Sequence, residues 1–357
     1  MWKNVNVMVM IAACLVVAGC KPAGKKTGTG AVSQQSSTVK FYGHKVSVFV
    51  DASPEELIDK YLTDPDKLKQ ELGKLKIERV SGEKFARPGD HADYEIRAAG
   101  TAVPYRMTLI YYKPSEELWY MTETMGDLVV SLLRYQFKRS GNGTILTVRF
   151  ELEEPQTAFL KSFAEAINYQ SSIIKGTEQG TAMIQAYFNK ELTVSGLMEK
   201  GMRGESYVTF FSVNSFDAGI NAPPQKVHKY LTSPDTWAKW EKQFKVVNFG
   251  PCLTLPQTGV CQAQVNIVGV DYKLDFFSAN YEPGKSTASY FTMPVIGVGR
   301  FQTLLKPEGQ GTDLDVSYMI QLSQSNPAAT ELLINLSQLP STVEQMVLDV
   351  KQNSERL

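Results

Sequence analysis

Three histidines and four cysteines are the side chains of this sequence best suited to chemistry. A pair of histidines three or four residues apart on a helix can hold a metal, but His44, His91 and His228 stand too far apart for that. His91 lies in Gly89-Asp90-His91-Ala92-Asp93, where acid–base work is conceivable, yet the run reads as a polar turn before a strand. His228 falls on a helix, aligned with Asp59, and reads as a surface position. Cys252 and Cys261 bracket a segment whose Pro256 and Gly259 suit a turn. Two lone cysteines without a nearby histidine pair do not make a four-ligand zinc site. A disulfide between them is expected if the compartment is oxidising. Gly141-Asn142-Gly143 and Gly309-Gln310-Gly311 read as hairpin turns rather than phosphate loops, since no Gly-Lys-Ser/Thr follows. No Gly-x-Ser-x-Gly elbow occurs. The sequence therefore points to no catalytic residue, no metal and no cofactor, and the balance leans away from an enzyme.

The remaining cysteine chemistry lies at the N-terminus. Lys3 supplies a positive charge, Val7 to Ala18 is apolar, and small residues lead to Cys20. The apolar run is shorter than the ~20 residues a spanning helix needs and fits an export signal. Val17-Ala18-Gly19-Cys20 resembles the lipobox of bacterial lipoproteins. That resemblance implies lipidation of Cys20, cleavage of residues 1–19, and a lipid anchor in the cell envelope. Lys21, rather than Asp, after the cysteine resembles sorting to the periplasmic face of the outer membrane. Residues 20–38, rich in Gly, Ser, Thr and Lys, read as a flexible tether with a reach of roughly 20–25 Å. Two or three acyl chains would hold firmly where one holds weakly.

Composition narrows the remainder. Basic and acidic residues number 37 each, which argues against electrostatic capture of nucleic acid. The chain of 357 residues has room for two domains. An internal repeat supports that count. Lys60-Tyr61-Leu62-Thr63-Asp64-Pro65-Asp66 recurs as Lys229-Tyr230-Leu231-Thr232-Ser233-Pro234-Asp235, with six of the seven positions identical. Ser53-Pro54 precedes the first copy and Ala222-Pro223 the second. Arg134-Tyr135-Gln136 and Arg300-Phe301-Gln302 follow in the same order, and so do the two Gly-x-Gly turns. Two copies of one domain are expected, near 39–200 and 205–357.

Each copy opens with an alternating run, Val46 to Val50 or Ser212 to Ile220, which reads as a strand. Ser53-Pro54-Glu55-Glu56 then fits a helix start, with Leu57, Ile58, Tyr61 and Leu62 facing inward and Asp64-Pro65 ending the helix. A meander follows: 105–112, 118–123, 132–138 and 145–152 in copy one; 272–277, 288–293, 300–305 and 314–322 in copy two. A long helix closes each copy, over 157–190 and 328–348, the second kinked at Pro340. This plan is α+β: an antiparallel sheet whose apolar face needs the long helix as cover.

Val50-Asp51-Ala52-Ser53-Pro54-Glu55, Tyr61 to Asp66 and the closing helix resemble the START-like helix-grip superfamily of polyketide cyclase or coenzyme Q-binding type. Ser233 departs from the usual Asp of that pattern. The resemblance covers nearly all of the mature chain, twice. It implies two tandem domains, each a curved antiparallel sheet wrapped around a long C-terminal helix, with an apolar tunnel between them.

On the strands, Met107, Leu109 and Tyr111 fall on one face, as do Leu146, Val148, Phe150 and Leu152. Tyr272, Leu274 and Phe276, with Leu314, Val316 and Tyr318, do the same in copy two. Any one of these is a core residue first. As a set, apolar walls with a few tyrosine hydroxyls suit an apolar ligand with a polar head. Arg134 and Arg300 read either as partners for an acidic headgroup or as surface charges guarding a strand edge. The expected function is a membrane-anchored extracytoplasmic carrier or sensor of a hydrophobic small molecule or lipid. The alternatives are an envelope scaffold with filled cavities and, behind it, an enzyme acting on a hydrophobic substrate.

Overall fold

A computed structural model of the chain describes residues 32–71, 76–98, 101–124, 129–154, 169–233, 235–236, 239–240, 246–248, 261–267, 270–293, 297–321 and 339–356. The signal segment, Cys20 and Cys252 lie outside these residues, and the Cys252–Cys261 disulfide lies outside them with Cys252. By its contacts the chain divides into two compact units, the first holding residues 40–209 and the second holding 23–39 with 210–357.

The first unit is built on β1 (Ser33–Val50), β2 (Lys76–Ser81), β3 (His91–Ala98), β4 (Thr101–Lys113), β5 (Glu117–Thr124), β6 (Val129–Ser140) and β7 (Gly143–Glu153). Their order is β2-β3-β4-β5-β6-β7-β1, every neighbouring pair antiparallel. The meander closes by returning its first strand beside its last. β1 already runs from Ser33, so the end of the Gly/Ser/Thr-rich stretch forms strand rather than tether.

Between β1 and β2 the chain forms α1 (Pro54–Leu57), a wide turn over Ile58–Leu62, and α2 (Pro65–Glu71). Ser53 caps α1 in both senses: its hydroxyl accepts from the Glu56 amide at 3.2 Å, and the Glu56 carboxylate accepts from the Ser53 amide at 3.3 Å. Leu57, Ile58, Tyr61 and Leu62 are all buried, as their spacing predicts. Asp64-Pro65 ends one helix and starts the next, the Asp64 carboxylate accepting from the Asp66 amide at 2.9 Å. The closing helix α3 (Tyr169–Phe188) packs against β7, and α4 (Val194–Lys200) follows it.

The second unit repeats the plan. Its strands are β8 (Gly204–Ile220), β9 (Val246–Asn248), β10 (Cys261–Ile267), β11 (Val270–Glu282), β12 (Ser286–Met293), β13 (Gly297–Glu308) and β14 (Gly311–Gln321). They run in the order β9-β10-β11-β12-β13-β14-β8, again antiparallel throughout. α5 (Pro224–Leu231) stands where α1 stands in the first unit, and α6 (Leu339–Ser354) closes the unit. Pro340 is the second residue of α6, and residues 322–338, which would form the other side of the expected kink, lie outside the described set.

One device appears in both units. The Thr144 hydroxyl donates to the Ala52 carbonyl at 2.7 Å, and the Thr312 hydroxyl to the Ala222 carbonyl at 2.6 Å. Each threonine follows the glycine that opens its strand, Gly143 or Gly311. A side chain on either glycine would collide with the carbonyl of Val50 or Ile220. The glycine lets the two strands close up, and the threonine then anchors the carbonyl that precedes the first helix. The architecture is α+β, two tandem helix-grip domains of seven strands and a long C-terminal helix each.

Candidate functional site

The face of each sheet that carries the apolar core is the candidate site. In the first unit Met107, Leu109 and Val148 join that core, with Tyr105, Tyr120, Tyr135 and, from α3, Ile184. Phe150 is buried on the same face of β7, where it stands opposite His44 of β1.

Tyr111 corrects the sequence reading. The register of β4 against β5 shifts between Leu109 and Tyr111, so one extra residue, Ile110, enters the strand. A bulge of this kind breaks the alternation of side chains. Tyr111 therefore pairs with Trp119 on the opposite face, ring centroids 5.0 Å apart, and Tyr112 packs against the core instead.

That opposite face is polar at its centre. Arg134 lies over the Trp119 ring at 4.4 Å and donates to Glu151 Oε2 at 2.9 Å. Glu151 Oε1 accepts from the Tyr207 hydroxyl at 3.0 Å and the Thr209 hydroxyl at 3.2 Å. Arg134 and Glu151 are both buried. A buried ion pair is tolerated when further hydrogen bonds offset its desolvation, as Tyr207 and Thr209 do for Glu151. Arg134 is thus neither a surface charge nor free for a headgroup. Arg300 is also buried, and it is not the counterpart of Arg134. Arg134 pairs with Arg149 across its hairpin and Arg300 with Met319 across its own, two residues further from the turn. The matching tripeptides are therefore out of step in the fold.

In the second unit Val316 and Tyr318 of β14 lie in the core with Leu314, Ile320 and Phe216, and α6 adds Val343, Met346, Val347 and Val350. Tyr272, Leu274 and Phe276 occupy alternate positions of β11, opposite Val265, Ala263 and Cys261, and so share one face of that strand.

The tyrosine hydroxyls differ in what they meet. Tyr120 donates to the Leu62 carbonyl at 2.6 Å and Tyr94 to the Pro65 carbonyl at 3.2 Å, each fastening a strand to the helical segment. Tyr318 is 1% exposed, and its hydroxyl has no hydrogen-bond partner among the described residues. Burial pushes its phenol well above the ordinary tyrosine range, so it stays a neutral donor.

Two histidines are also buried. His228 is 7% exposed, not on the surface as its helical position suggested, because α5 packs against β13 and β14. His44 lies 3.0 Å from the Ser206 hydroxyl through Nδ1 and 3.7 Å from Glu178 Oε1 through Nε2. Burial lowers the His44 imidazole and raises the Glu178 carboxyl, so both lean to their neutral forms. Serine, imidazole and carboxylate meet here from β8, β1 and α3. The 3.7 Å gap exceeds a hydrogen bond, so the carboxylate does not orient the ring as a general base requires. No spacing rule points to this cluster, since its members lie on three separated segments.

No family model and no curated protein matches the chain. Solved structures do. The di-domain ARO/CYC StfQ from the steffimycin biosynthetic pathway is 12% identical over 87% of this chain and 98% of its own, at a TM-score of 0.36. The di-domain ARO/CYC BexL from the BE-7585A biosynthetic pathway is 13% identical over the same shares, at 0.34. Protein CV1439 from Chromobacterium violaceum is 17% identical over 41% of this chain and 96% of its own, at 0.31. Scores this low add nothing to the argument. The helix-grip assignment rests on the strand order and the closing helices.

Proposed function

We propose that the chain is a membrane-tethered, extracytoplasmic carrier or sensor of an apolar small molecule or lipid. The Val17-to-Cys20 box and the export signal before it support the tether and the compartment. The apolar face that each sheet turns toward its closing helix supports the ligand class. One observation supports the reading beyond plain core packing: the Tyr318 hydroxyl is buried without a partner among the described residues. A protein whose core only fills itself satisfies its buried polar atoms, since each one left bare costs about 1–3 kcal/mol. A bound molecule with a polar atom would remove that cost.

The test is native mass spectrometry with solvent extraction of the full mature chain, Cys20→Ser, recovered from a bacterial envelope. Co-purifying apolar molecules, lost on Leu109→Trp or Leu274→Trp in variants with unchanged circular dichroism, are the expected result. An empty protein that also takes up no lipid or quinone from a panel would leave the scaffold reading in its place.

A further inference from the structure

The two units place different side chains at one equivalent position. Phe150 and Tyr318 stand equally far from their hairpin turns. Phe150 faces His44 across the β1–β7 pair, and Tyr318 faces Asn214 across the β8–β14 pair. In the first unit Ser206 meets Nδ1 of the His44 ring, and Glu178 lies 3.7 Å from Nε2, beyond hydrogen-bond distance. In the second unit the phenol has no partner among the described residues.

A water molecule would satisfy that phenol poorly, since a buried water needs two to four polar partners. On the face that Tyr318 shares, its strand neighbours are Val316 and Ile320, and its partner across β13 is Phe301. Among the described strand neighbours only Asn214, 5% exposed, brings a polar group to the same spot. A ligand oxygen needs no more than one or two donors and brings its own apolar body. The described strand positions on this face carry no charge: Asn214, Ser289, Phe301, Val316 and Tyr318 are all neutral. A carboxylate or phosphate headgroup would therefore meet no counter-charge among these strand positions, and its desolvation would go uncompensated there.

Resting on the carrier reading, we infer that the second unit is the ligand-bearing one, and that it selects a neutral apolar molecule by one accepting oxygen, a carbonyl or ether, bound by the Tyr318 hydroxyl with Asn214 beside it. The first unit places Phe150 at that position, and a phenylalanine has no hydroxyl to make the contact.

The experiment measures displacement of the neutral dye N-phenyl-1-naphthylamine from the full mature chain by undecane and by undecan-2-one. The ratio of the two midpoints cancels most differences in folding and dye affinity. The wild-type chain should favour the ketone by roughly fivefold more than Tyr318→Phe does, the worth of one neutral hydrogen bond. Undecane should displace equally from both. Val316→Trp should abolish the ketone preference, and Val148→Trp in the first unit should leave it intact. A preference that survives Tyr318→Phe, or that disappears with Val148→Trp instead, overturns the assignment while leaving carriage standing. Failure of the dye and both displacers to bind removes the carrier reading and this inference together.

Discussion

The two units fasten the first helical segment to the closing helix at corresponding places, but by different forces. In the first, Tyr61 meets Tyr187 and Phe188 of α3 with ring centroids 5.0 and 6.3 Å away, and those two rings meet each other at 4.9 Å. In the second, Tyr230 donates its hydroxyl to Asp349 Oδ2 of α6 at 2.6 Å. Trp240 donates to the same oxygen at 3.3 Å, and Lys239 and Asn353 donate to Oδ1. The tyrosine is common to both copies of the repeat. What the closing helix offers it decides whether the ring or the hydroxyl makes the contact. An aromatic clasp is insensitive to protons and depends on shape, whereas an ionic one depends on charge and on every donor being matched.

Four perturbations separate these clasps. The largest effect should come from Tyr61→Ala, which leaves a cavity beneath Tyr187 and should cost about 3–5 kcal/mol, independent of pH. Hydrogen exchange along α3 reads it, and protection there that is unchanged would show that the rings are not what holds the helix. Asp349→Ala strands four donors and should cost about 2–3 kcal/mol, confined to exchange in α5 and α6.

Acid should do part of the same work without a mutation. Burial alone would raise the Asp349 carboxyl, but Lys239, Tyr230 and Trp240 together hold it below its ordinary value. Its folded form therefore binds a proton less readily than its unfolded form. The stabilisation is complete above about pH 4 and is lost as pH falls through the depressed value. Acid titration should loosen the α6 clasp in the wild type, and Asp349→Asn should remove that dependence. An acid response of the same size in Asp349→Asn would assign it to another group. Tyr230→Phe should be the mildest, about 1 kcal/mol, because the ring stays and only one of four donors goes. Thermal unfolding would register it, and a loss as large as that of Asp349→Ala would show that the tyrosine hydroxyl alone carries the clasp.

Local signals in the sequence were read well where chemistry is local. The Ser53-Pro54 helix start, the Asp64-Pro65 break and the four meander strands of each copy follow from capping, proline geometry and alternation. Strands β2, β9 and β10 escape that reading, because mixed polar residues there blur the period of two, while β3 begins at His91, inside the run read as the turn before it. The bulge at Ile110 was invisible, since an extra residue declares itself only against the partner strand, and Tyr111 was misplaced as a result. Arg134 and Arg300 looked equivalent because their neighbours match, but hairpin register is counted from the turn. The Glu151–Tyr207 contact and the His44–Ser206–Glu178 cluster join segments that no spacing rule connects. Nor can a sequence show that one tyrosine hydroxyl is satisfied and another is not, which is the difference between Tyr120 and Tyr318.

The bulge in β4 acts on the pleat as a frameshift acts on a message. Upstream of Ile110 the odd-numbered residues Tyr105, Met107 and Leu109 line the apolar face; beyond it the even-numbered Tyr112 does. Deleting Ile110 would remove the bulge and leave Tyr111 opposite Trp119 and Tyr112 inward, with the hairpin to β5 paired as before. The added residue is absorbed where it enters the strand, and what it changes is which parity of the numbering beyond it borders the site.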